Sequence, residues 1–284
     1  MKVLGFIIHS NILIALAALA LTLATQVQLG LEPRAHAYLA VIFLATLFDY
    51  NLHRYLTLYN KPKAAKNEKL KWASDHRTLF LALFISSFIG LVIALFFVKT
   101  RILFLLLPLA LLSFLYSYPG KQKHRFRLLR ITGMKTILIA LVWSSATVLI
   151  PIFSEKQSFD FTQIVLLFAE CFTFIFAIAI PFDIRDVETD RISSLKTIPI
   201  HFGEINALKI SNIVLLLSLS FAAFHYLNSN LAFILPGYLL SIIITFIFIN
   251  NKSLKNTTFY HHGILDGCIL LHGMMIFMSD YFKF

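Results

Sequence analysis

Asp183, Asp186 and Asp190 stand at spacing i, i+3, i+7 in the run Asp183-Ile-Arg-Asp-Val-Glu-Thr-Asp-Arg191. On a helix that spacing places three carboxylates on one stripe. Beside a membrane, unpartnered carboxylates repel one another and resist desolvation. A hard divalent cation removes both difficulties, because Mg²⁺ takes oxygen ligands and shares its shell with substrate phosphates. The spacing therefore predicts Mg²⁺ on Asp183, Asp186 and Asp190 and, through the ion, a grip on a phosphorylated lipid. The plain alternative is a solvated acidic helix end. Glu188 points off the stripe, while Arg185, Arg191 and Lys196 are near enough to neutralise a diphosphate or to pair with the aspartates.

Three further groups interrupt apolar sequence. Asp49, Asn51, His53 and Arg54 fall close together, with Asp49 and His53 on one helical face. Ionisable groups within a membrane helix are functional candidates, because leaving them unpaired in lipid costs several kcal/mol. They read as a second wall of the same polar cavity, or as an Asp49–His53 or Asp49–Arg54 structural pair. Tyr118, Lys121 and Lys123 surround a helix-ending Pro119-Gly120, and Lys135 opens the next apolar stretch. Those lysines stand where a phosphate could reach them, or simply snorkel to the membrane surface. Asp266 lies one turn inside the last apolar stretch, four residues after His262. A helix-start acid is also favoured by the macrodipole alone. His272, deeper in that stretch, reads as a satisfied core histidine.

The elements that must position these residues are membrane helices. The chain is 284 residues, 58% hydrophobic and 14% charged, against roughly 25% charged residues in soluble domains. Apolar stretches of about 20 residues, the length that crosses a bilayer, run from Val3 to Val27, Ala35 to Leu58, Thr78 to Val98, Ile102 to Tyr118, Met134 to Phe153, Phe161 to Phe182, Ala207 to Leu227, Leu231 to Ile249 and Gly263 to Phe282. The expected fold is an all-α integral membrane protein, with nine transmembrane helices around a central polar cavity open to the cytoplasmic side. No linker interrupts the series, so residues 1–284 read as one domain. Cys171 and Cys268 lie inside apolar stretches and read as reduced packing residues. No small-residue cleavage site follows the first stretch, which reads as a retained helix.

The net charge of +11 is concentrated in alternate loops. Lys61, Lys63, Lys66, Lys69, Lys71 and Arg77 follow the second stretch; Lys121, Lys123, Arg125, Arg127 and Arg130 follow the fourth. Anionic lipid headgroups and topology account for this basicity without nucleic acid. The positive-inside rule puts the N-terminus in the cytoplasm and, with nine spans, the C-terminus outside, in a cell inner membrane. Every candidate residue above then falls on the cytoplasmic side.

The run from Asp183 to Gly203, with its Asp-x-x-Asp-x-x-x-Asp spacing followed by Lys-Thr-Ile-Pro-Ile and a glycine, resembles the second aspartate motif of the UbiA superfamily of intramembrane prenyltransferases. The stretch from Leu115 to Lys135, with Tyr-Ser-Tyr-Pro and then Gly-Met-Lys, is similar to that family's region between helices four and five. The first motif departs from the family's Asn-Asp-x-x-Asp-x-x-x-Asp: in the best register the three aspartates fall on Tyr50, His53 and Thr57, and Asp49 takes the asparagine position.

The resemblance implies Mg²⁺-assisted departure of diphosphate from an allylic polyprenyl diphosphate and transfer of the isoprenoid to an aromatic or other lipophilic acceptor. His53 and Arg54 would then meet phosphate where the family uses aspartate and metal. The altered first motif supports a rival: a catalytically reduced relative that binds an isoprenoid or quinone, or serves as an assembly partner. A transporter would place charged groups at the midplane, whereas these cluster at one face.

Overall fold

The computed structural model describes residues 2–60, 68–117, 131–255, 257 and 259–282. Every regular element among them is helical. A chain this apolar has no alternative but closed β-barrels, since a bilayer offers no water to satisfy backbone N–H and C=O groups.

The first expected span is two helices, α1 (Lys2–His9) and α2 (Ile12–Gln28), bent by 74°. Asn11 makes the break in the left-handed region at φ 65°, a conformation asparagine tolerates better than most residues. Next come α3 (Ala37–Asn60), the short α4 (Glu68–Asp75), α5 (Arg77–Leu95) and α6 (Thr100–Ser117), which contains Pro108. One span is built from α7 (Met134–Ser144), a π-helical turn (Ser145–Leu149) and α8 (Ile150–Ser154). Helix α9 (Phe161–Arg185) starts at Asp160, whose carboxylate accepts hydrogen bonds from the backbone N–H groups of Thr162 (2.9 Å) and Gln163 (3.2 Å). The short α10 (Val187–Ile192) and α11 (Ile198–Phe202) lead into α12 (Glu204–Leu227), α13 (Leu235–Asn250) and α14 (Lys252–Lys255). A π-helical turn (Tyr260–Leu265) opens α15 (Asp266–Met278).

Six helices among the described residues are long and apolar enough to cross a membrane, and the bent α1–α2 pair makes seven. The protein is an integral, multi-pass membrane protein. Helix α3 is 24 residues long, but Asp49, Asn51, His53 and Arg54 in its second half make it less apolar than the six.

Helix α9 is central, packed between α12 and α7; α2 packs on α15, and α3 on α5. Gly273 permits the α2–α15 contact: an added Cβ there would lie 2.6 Å from the Ala20 carbonyl carbon and the Leu21 nitrogen. The end of the bundle remote from the aspartates is tied by the buried Glu170. Its carboxylate accepts from Gln28 and from the Tyr226 hydroxyl, each at 2.6 Å, and so joins α9, α2 and α12. His272 is buried against Ser241, Nδ1 to Oγ 2.7 Å, the satisfied core histidine that the apolar sequence around it implies.

Candidate functional site

Asp183, Asp186 and Asp190 do not share one uninterrupted helix. Helix α9 ends at Arg185, and Asp186 forms the junction with α10 at φ −91°, ψ 5°. The single uninterrupted stripe expected from the spacing is therefore broken at its middle member: Asp183 lies in α9, Asp186 at the junction and Asp190 in α10. Asp183 and Asp190 are buried and share the Lys135 ammonium, with Nζ 3.0 Å from Asp183 Oδ1 and 2.8 Å from Asp190 Oδ2. The Thr136 hydroxyl donates to the other oxygen of Asp183 at 2.6 Å. Asp186 instead takes a two-point contact from its neighbour Arg185, Nε to Oδ1 at 2.7 Å and Nη2 to Oδ2 at 2.9 Å.

Local backbone explains how Lys135 reaches this point. Gly133 adopts φ 76°, a conformation open to glycine, and turns the chain into α7. Its N–H bonds the Lys196 carbonyl at 2.9 Å, which ties the start of α7 to the segment after α10. Lys135, the second residue of α7, thereby faces the α9–α10 junction.

Arg185 also reaches the opposite wall. Its Nη1 lies 2.9 Å from His262 Nε2, and the guanidinium lies over the Phe182 ring, 5.3 Å from the centroid. His262 Nδ1 is 3.8 Å from Asp266 Oδ2, the i, i+4 pair expected at the start of the last helix. The π-helical turn carrying His262 widens the helix there, a distortion common at functional sites.

The second wall is α3. Arg54 donates to the His9 carbonyl and, at 2.6 Å, to Asn11 Oδ1. Asn51 Oδ1 accepts from Asn11 at 3.1 Å, and Asn51 Nδ2 donates to the Leu47 carbonyl at 2.8 Å and the Ser10 carbonyl at 3.3 Å. Asn51 and Arg54 thus hold the break between α1 and α2. Asn51, a candidate reacting group, is fully buried and is not among the residues lining the cleft, whereas Arg54 both holds the break and lines the cleft. His53 lines the cleft. Asp49 accepts from the Ser113 hydroxyl of α6 at 2.9 Å, not from His53 or Arg54 as a structural pair would require.

These residues enclose a cleft of about 280 Å³, lined by Asp49, His53, Arg54, Lys135, Asp183, Arg185, Asp186, His262 and Asp266, with Tyr50, Trp143 and Phe182 among its apolar lining. A second cavity of about 420 Å³ is lined almost wholly by apolar residues of α2, α3, α5, α6 and the span from α7. Asp49, Tyr50, Ile139 and Trp143 line both, so polar and apolar spaces meet at one seam. Arg191 and Lys196 are exposed and lie away from the cleft lining. Tyr118, Lys121 and Lys123 lie outside the described residues. Asn11, Ser113 and Thr136 went unnoticed in the sequence, since lone polar residues in apolar helices carry no spacing signal.

Electrostatics divide the acidic run. Burial works to raise the Asp186 pKa, but the Arg185 guanidinium, aided by Lys135 and His262, outweighs it and holds the carboxyl below its ordinary value. At Asp190 burial outweighs the Lys135 ammonium, and the pKa is raised. No three His, Cys, Asp or Glu side chains among the described residues are gathered as ligands for one ion; Lys135 and Arg185 contact the carboxylates instead. The donor set nonetheless fits a hard divalent cation. Asp183, Asp186 and Asp190 bring carboxylate oxygens, the ligand type such an ion takes, to one junction.

The model of the UbiA prenyltransferase family matches residues 73–262. No curated protein sequence matches the chain. Among solved structures, a UbiA homolog from Archaeoglobus fulgidus bound to GPP and Mg²⁺ is 17% identical, with TM-score 0.61 over 95% of this chain and 99% of that one. The apo UbiA homolog from Aeropyrum pernix K1 is 13% identical, with TM-score 0.61 over 94% and 97%. A structure described for the biosynthesis of digeranylgeranylglyceryl phosphate synthase in membranes is 14% identical, with TM-score 0.57 over 98% and 99%. At such identities the likeness is one of fold. The family match spans most of the chain, including the α9–α10 acidic junction, Lys135 and the turn with His262, and the chain belongs to the UbiA prenyltransferase family.

Proposed function

We propose that this protein moves an isoprenoid chain from an allylic polyprenyl diphosphate to an aromatic or other lipophilic acceptor. The observation that carries this reading is the seam: a charged cleft that suits a diphosphate lies beside an apolar cavity that suits a hydrocarbon tail, with Tyr50 and Trp143 lining both. Family members are prenyltransferases, and relatives have been solved with DMAPP or GPP and Mg²⁺.

In this reading Arg54, His53, Lys135 and Arg185 orient the diphosphate, with Arg185 steadied by His262 and the Phe182 ring. Mg²⁺ at Asp183, Asp186 and Asp190, when bound, would neutralise the leaving diphosphate. The apolar walls exclude water from the allylic carbon, and the Trp143 and Tyr50 rings border the place where positive charge develops. Counted with the bent α1–α2 pair, α3 and α6, the six clear spans would make nine in a single domain. The basic loops then put the cleft on the cytoplasmic side of a cell inner membrane, with the N-terminus inside and the C-terminus outside.

One observation favours the rival of a non-catalytic binder: Asn51 and Arg54 are engaged in holding the α1–α2 break. Turnover separates the two. Purified protein in lipid, given geranyl diphosphate and Mg²⁺, is expected to release pyrophosphate, and Asp186→Ala to abolish release. Undiminished release by that variant would remove the metal assignment, and binding without release by the wild type would select the binder.

A further inference from the structure

We propose that Asp49 is the base that takes the proton from the acceptor, an assignment that rests on the prenyl-transfer reading. Among the described residues, four line both the polar cleft and the apolar cavity, and Asp49 is the carboxylate among them. The allylic carbon joins a diphosphate to a hydrocarbon tail. If the two occupy the cleft and the cavity, that carbon lies at the seam. The acceptor atom that bonds to it is there too, and the proton is released there.

The partners of Asp49 suit it to this role. Asp183 and Asp190 share an ammonium, Asp186 is held by a guanidinium, and Asp266 faces His262. Each of those carboxylates already has a nitrogen group of another side chain against it. Among the described residues Asp49 makes one hydrogen bond, from the neutral Ser113 hydroxyl at 2.9 Å, and no ion pair. Ser113 bonds Oδ2, fixing the carboxylate and leaving Oδ1 for a proton. Asp49 is also this chain's own departure, standing where the resemblance places asparagine, a residue that accepts no proton at neutral pH.

The step balances without a further reactant. A carbon or oxygen of the acceptor bonds to the allylic carbon. The allylic C–O bond breaks and its electron pair leaves with the diphosphate. The hydrogen on the attacking atom passes as a proton to Asp49. Nothing is oxidised or reduced.

The test follows radiolabelled geranyl diphosphate added to native membranes carrying wild type, Asp49→Asn or Asp49→Glu. Two products are read, labelled lipid from transfer and labelled geraniol from capture by water. Binding of a non-hydrolysable geranyl diphosphate analogue is measured on each purified protein. The expected result for Asp49→Asn is a loss of labelled lipid by about 10²- to 10⁴-fold. Geraniol should persist, analogue affinity should stay within about threefold, and Asp49→Glu should recover part of the transfer. Unchanged lipid labelling in Asp49→Asn, or loss of labelling together with analogue binding, overturns the assignment. If the wild type neither binds the analogue nor cleaves geranyl diphosphate, the prenyl-transfer reading falls and takes the base with it.

Discussion

The Thr136 hydroxyl donates to Asp183 Oδ2 at 2.6 Å, in a place where both groups are buried. Together with Lys135 on Oδ1 it satisfies both oxygens of Asp183 from two successive residues of α7. Thr136→Val keeps the shape and removes the donor, leaving a buried carboxylate oxygen short of a partner. The expected cost is about 1–3 kcal/mol, read as a lower melting temperature in detergent. An unchanged melting curve would show that the contact contributes nothing.

Lys135 holds Asp183 and Asp190 together, so it competes with any divalent cation for the same oxygens. Lys135→Met should lower melting temperature without metal and tighten Mn²⁺ binding roughly tenfold, about 1.4 kcal/mol. Isothermal titration of substrate-free protein checks the second effect. Weaker Mn²⁺ binding in the variant would mean that the lysine helps to build the metal site and does not compete for it.

Val41 is buried, lines the apolar cavity, and lies eight residues before Asp49 on α3, roughly 12 Å along the helix. Val41→Phe should shorten the space left for a tail. Competition assays are expected to show a larger loss of kcat/KM for geranylgeranyl than for geranyl diphosphate. Equal losses for the two would place the tail elsewhere.

The approach of α15 to α2 leaves no room for a side chain at Gly273, where even a Cβ would sit 2.9 Å from the Ala20 Cβ. Gly273→Ala must push the helices apart, at a cost of about 1–3 kcal/mol. Gly267, in the first turn of the same helix, has open space at its Cβ position. The contrast in melting temperature between Gly273→Ala and Gly267→Ala isolates the effect of the close contact.

Much of the architecture was legible because hydropathy is local. Six stretches found by apolar length alone return as membrane-length helices, and the acidic run lies at the end of one of them, as expected. The bend at Asn11 was not legible: α1 and α2 read as one apolar run, and the break rests on bonds from Asn51 and Arg54, some forty residues away in sequence.

The amino-acid sequence by itself determined the membrane class, the acidic cluster and the family, because composition and short spacings survive without any knowledge of neighbours. Only the tertiary structure decided what each charge faces. Periodicity put three aspartates on one stripe, but the helix ends among them, and Lys135, half a hundred residues away, claims two and Arg185 the third. Asp49 was one candidate among several on its helix until α3, α6 and α7 brought a charged cleft and an apolar cavity together beside it. Pairing in a low-dielectric interior depends on ångströms between segments distant in sequence, and no local pattern encodes those distances.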